Sequence, residues 1–171
     1  MSAPSISFEQ ALERAALWCG AWEAGELSDE VLADRVGELI ASRDGARGFF
    51  VVSLPSENPL MDRLPEPLLM ALRQGGAAVV DLTARNLAMS TAMVLAHGRA
   101  GAEEQRQGSE RVARRCSDLL RQLDSGLVKS RLETLLAATA GEGDDVSFLQ
   151  RWGYDDQQKS AIASAVLAVA D

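Results

Sequence analysis

The chain has 171 residues, 47% of them hydrophobic, and carries a formal net charge of -8. That length suits one domain able to bury roughly 70% of its unfolded surface without a disulfide or metal staple, and the hydrophobic share excludes wholesale disorder. The acid excess repels phosphate backbones, and an aromatic content of 5% leaves few rings for base stacking, so a nucleic-acid partner is disfavoured.

The opening MSAPSISFEQ lacks the basic and apolar regions of a signal peptide. No uncharged run approaches the ~18 apolar residues that span a bilayer. A soluble, cytoplasmic protein without membrane contact is therefore expected.

Taken in order, Ser7 opens the first helix, and Gln10 three residues on completes a capping-box pattern. Phe8, Leu12, Ala15, Cys19 and Trp22 recur at helical spacing, and Gly25 is a natural stop. Ser28 caps a second helix with Val31, Leu32, Val36, Leu39 and Ile40 on its apolar face. Glu30, Asp34 and Glu38 make an acidic ridge on the other face, at an i, i+4, i+8 spacing whose like charges repel.

Phe49–Leu54, bounded by Gly48 and Pro55, is β-branched and aromatic and reads by propensity as a buried strand. In the preceding GARGFF, the glycines read as a tight turn. Residues 55–67 form a Pro-rich loop, after which Pro65 or Pro67 starts a short helix ending at Gly75–Gly76.

From Ala77 to Ala100 five alanines stand four apart, at Ala84, Ala88, Ala92, Ala96 and Ala100, a ridge that lets another helix approach closely. Apolar residues fill most of the remaining circumference, the mark of a buried helix. Beyond a loop holding Gly101 and Gly108, Ser109 caps a helix through Val112, Cys116, Leu119 and Leu123. Asp124-Ser125-Gly126 turns into a helix with Val128, Leu132, Leu135 and Leu136 inward. Asp144 or Asp145 caps a short helix through Trp152, and Asp155 with Gln158 repeats the capping box ahead of the last helix.

The expected fold is thus all-α, a single-domain bundle over 1–171 of about seven helices around a buried central helix. The alternative is α+β, with a small two-stranded element at 49–54 and 77–82. A lone pair of strands is barely stable, and no third strand candidate exists.

Chemistry is sparse. His97, the single histidine, shares a helical face with Asn86 and Ser90, a polar line that could orient a small ligand. Near a helix C-terminus the same imidazole is also at home beside the last carbonyls. No cofactor motif and no catalytic set emerges, and one histidine with two distant cysteines cannot make a zinc site. Cys19 and Cys116 fall on apolar faces outside any CxxC pattern and read as buried thiols, with a disulfide between them left open. Arg111, Arg115 and Arg121 form the best interaction face, suited to carboxylates such as Glu30, Asp34 and Glu38 within the fold or across a dimer.

The function expected first is that of a non-enzymatic protein-binding or assembly protein acting through a homodimer or partner interface. A small-molecule-binding bundle around Asn86, Ser90 and His97 comes second, and a hydrolase-type enzyme is least favoured.

Overall fold

The computed structural model describes residues 6–170. Residues 1–5, where half of the expected leaderless segment falls, and residue 171 lie outside the described residues. Of the described residues 78% are helical, in nine α-helices and one short 3-10 turn, and no strand occurs among them. The all-α expectation holds, with nine helices rather than about seven. They are α1 (Phe8–Glu23), α2 (Asp29–Leu39), α3 (Arg43–Ser53), α4 (Glu66–Gln74), α5 (Gly76–Arg99), α6 (Glu103–Gln122), α7 (Ser125–Thr139), α8 (Val146–Arg151) and α9 (Asp156–Val169), with the 3-10 turn at Pro59–Met61.

The two-stranded alternative is overturned, because 49–54 falls in and just after α3 and 77–82 opens α5. Ser42 caps α3 by accepting from the backbone N–H of Gly45 at 3.1 Å. Ala46, Phe49, Phe50, Ser53 and Leu54 are buried at helical spacing while Val51 is 52% exposed. The GARGFF segment is accordingly helix, not turn.

The chain divides into two compact units, residues up to Leu82 and residues from Thr83 on, with the boundary inside α5. In the first unit α1 packs chiefly on α3 and α2 on α4. The predicted capping box at Ser7 and Gln10 is present. The Pro-rich stretch is anchored: the Asn58 side chain donates to the Cys19 carbonyl at 2.9 Å and accepts from the Leu60 N–H at 3.0 Å. Pro67 sits in the first turn of α4, where its missing N–H leaves no intrahelical bond unmade.

In the second unit Ala84, Ala88 and Ala92 of α5 are fully buried, whereas Ala96 is half-buried and Ala100 exposed. Met93 is also exposed. The central helix is therefore buried along one broad face, not all round. α6 begins two turns before the predicted Ser109. Arg106 pairs with Glu103 and Glu110 across the first turns and holds the Glu103 carboxyl down at about 2. Gly108 is tolerated as an interior helix residue, and only Gly101, at φ 69°, makes the break. Gln158 both closes the predicted capping box of α9 and donates to the Ala92 carbonyl of α5 at 3.2 Å.

Both cysteines are free and buried, one in each unit. Burial pushes the Cys19 thiol up to about 11 and the Cys116 thiol higher still. At pH 8 the Cys19 thiolate fraction is then roughly a thousandth, and the thiolate is the nucleophile. Iodoacetamide at that pH should label neither thiol in the native chain and both in urea. Native labelling within minutes, read by mass spectrometry, would contradict the burial of the labelled residue.

Candidate functional site

The acidic ridge of α2 lies at the surface, with Glu30, Asp34 and Glu38 all exposed. The opposite face, Leu32, Ala33, Val36 and Leu39, is buried, so amphipathic patterning alone turns the carboxylates outward. Glu30 and Asp34 edge a shallow groove of about 310 Å³ between α2 and α4. Its floor is made by small residues, Ala33, Gly37 and Ala71. A Cβ built on Gly37 would meet that of Ala71 at an ordinary 3.9 Å. Pro67, Gln74 and Met70, the last 47% exposed, complete the far wall. The groove thus combines two carboxylates with an exposed thioether and has no cation in its lining.

The arginine half of the predicted interface is used differently. Arg111, Arg115 and Arg121 all lie on α6 in the second unit, whereas the acidic ridge belongs to the first. Arg115 is only 2% exposed, and Arg111 is half-buried. Arg121 donates to the carbonyls of Ala168 (2.8 Å) and Val169 (3.3 Å), so its cation closes the C-terminal end of α9. It also pairs with Asp118 at 3.3 Å.

Along α5, the Ser90 hydroxyl donates to the Asn86 carbonyl at 2.6 Å and lies 3.2 Å from that of Leu87, the back-bonding typical of a serine within a helix. Asn86 and His97 are half-buried. The His97 carbonyl accepts from the Ala102 N–H at 2.9 Å where Gly101 turns the chain out of the helix. None of the three lines the α2–α4 groove or the larger one described next.

That larger groove, of about 510 Å³, opens in the second unit where α6 ends, α7 begins and α9 ends. Val128, Leu132 and Leu136 form an i, i+4, i+8 ladder along α7, opposite Val166 and Val169 of α9. Leu167, 55% exposed, stands at its edge. Residues 7–169 match the model of the family described as Uncharacterised conserved protein UCP020893. The chain belongs to that family. Comparison with the curated proteins and with the solved structures gives no match.

Two features escaped the sequence reading. The larger groove carries no signal in the sequence: Val128, Leu132 and Leu135 are buried, as the inward stripe of α7 predicts, and only Leu136 of that stripe is half-buried. The Arg131–Asp145 pair, with side chains 16% and 7% exposed, joins residues 14 apart that no motif connects. Among the described residues no group of three His, Cys, Asp or Glu is placed to hold a metal ion. No helix among them is long and apolar enough to cross a membrane.

Proposed function

We propose that the protein is a non-enzymatic binding or assembly protein that acts through the α2–α4 face, with another protein or a second copy of itself as partner. The observation that carries this reading is the placement of Glu30 and Asp34 beside the exposed Met70 over a floor of small residues. Methionine is enriched at interface cores and adapts its shape to varied partners, and the two carboxylates would belong to the polar rim around it. The partner surface that complements it carries arginine or lysine around a small apolar side chain. A cytoplasmic location is part of the proposal and agrees with two free, buried thiols.

A pocket around Asn86, Ser90 and His97 has less support, since the Ser90 hydroxyl already serves the backbone of its own helix. A hydrolase has less again, since among the described residues the Ser90 hydroxyl is bonded to its own helix and both thiols are buried.

The double reversal Glu30→Lys with Asp34→Lys tests the reading, because both residues are exposed and the fold should survive the change. Light scattering and affinity purification of the wild type should show a dimer or a bound protein. The reversed chain should lose that association at least about tenfold, as like charges across an interface cost several kcal/mol. A monomeric wild type whose co-purifying proteins match those of the reversed chain would end the proposal.

A further inference from the structure

The groove between α6, α7 and α9 has a chemistry of its own. Nine of its thirteen lining residues are aliphatic, and no aromatic ring lines it, so it suits an alkyl chain rather than a stacked ring system. Its volume, about 510 Å³, falls in the usual range for small-molecule sites. The groove follows α7 from Ser125 to Leu136, about 17 Å at the helical rise.

The polar lining is unevenly spread. Arg121, Ser125 and Lys129 stand at the end where α6 gives way to α7, and Glu133 comes a turn further along. Three of the five N–H groups of Arg121 go to Asp118, Ala168 and Val169, which fixes the guanidinium at that end of the groove. In a chain of net charge -8, the charged lining holds two cations, Arg121 and Lys129, against the single carboxylate of Glu133, with Arg121 also paired to Asp118 outside it.

We propose that this groove binds a soluble single-chain anionic amphiphile, its alkyl chain along Val128, Leu132 and Leu136 and its carboxylate or phosphate head between Arg121 and Lys129. The site is separate from the α2–α4 face and does not depend on it.

Titration calorimetry of the full chain with sodium dodecanoate, below its micelle concentration, tests this. One molecule should bind, at least about tenfold tighter than octanoate, because every buried methylene strengthens binding. Ala170→Trp, at an exposed position on the groove, should plug it and weaken dodecanoate at least tenfold. Lys129→Glu should weaken dodecanoate and dodecyl phosphate about fivefold while leaving dodecanol unchanged. Parallel thermal melts confirm that both variants fold. The proposal is overturned by no binding to the wild type, by equal affinity for octanoate and dodecanoate, or by a Lys129→Glu chain that binds dodecanoate as the wild type does. Capture of the chain only on anionic phospholipid vesicles, without binding of dodecanoate or dodecyl phosphate, overturns it in favour of a membrane surface.

Discussion

Gly45→Ala is expected to lower the unfolding free energy by about 3 kcal/mol, the upper part of the range for overpacking a tight site. A Cβ at this position would lie 1.8 Å from the Leu39 carbonyl oxygen and 2.9 Å from the Ser42 hydroxyl. The first obstacle is backbone at the end of α2, so it cannot rotate aside as a side-chain tip would. Alanine also brings a gain in helix propensity of ~0.8–1 kcal/mol, which the clash must exceed. Gly108→Ala isolates that gain, since nothing lies within 4 Å of its Cβ position and its backbone is helical. It should stabilise the chain by about 0.5–1 kcal/mol. Urea titrations of the two variants should therefore move in opposite directions from the wild type. If Gly45→Ala unfolds at or above the wild-type midpoint, the close approach of α3 to the end of α2 is wrong. Gly48→Ala belongs with Gly45→Ala, because its Cβ would stand 2.4 Å from that of Ala11 on α1.

The same glycines explain where the sequence misled. Gly45 and Gly48 invite a turn, and Phe-Phe-Val-Val after them invites a strand. Both signals are local, whereas the reason for the glycines is tertiary: α3 passes too close to Leu39 and Ala11 for any side chain. Once Gly48 is read as an interior helix residue, Ala46, Phe49, Phe50, Ser53 and Leu54 fall on one helical face, and that periodicity was in the sequence throughout. Three capping signals transferred, the boxes at Ser7 and Asp155 and the cap at Ser28, whereas the cap expected at Ser109 lies inside α6 and Asp145 makes no side-chain capping bond. The charged residues divide in the same way. Amphipathic patterning suffices to place Glu30 and Asp34 at the surface. The burial of Arg115 and the seating of Arg121 on the end of α9 depend on packing that composition does not reveal.

The Asp145 carboxylate is expected to matter more than its place in a polar turn suggests. It stands at the N-cap of α8 but makes no side-chain capping bond there; both its oxygens instead take the guanidinium of Arg131 on α7, at 2.5 and 3.0 Å. Removing the carboxylate takes two charge-assisted hydrogen bonds from a largely buried guanidinium, each worth about 1.5–3 kcal/mol before relaxation. Asp145→Ala should therefore lower the unfolding free energy by about 3 kcal/mol, whereas loss of an ordinary cap removes about 1. Because the Asp145 carboxyl is buried and the Arg131 side chain is only 16% exposed, that loss should be nearly the same in dilute buffer and in 1 M salt, where the screening length is only about 3 Å. Arg99 and Asp155 provide the contrast, an exposed pair at 2.7 Å joining the end of α5 to the start of α9. Arg99 first, then the Gln158 N–H, holds the Asp155 carboxyl below the usual range. A depressed folded value means its contribution is complete above the ordinary aspartate range and fades as pH falls through the lowered value. Urea midpoints of Asp155→Asn and wild type should accordingly converge at acid pH and in high salt, while the Asp145→Ala deficit persists in high salt. A deficit for Asp145→Ala that salt abolishes would place the Arg131 contact at the surface and remove it as the link holding α8 to α7.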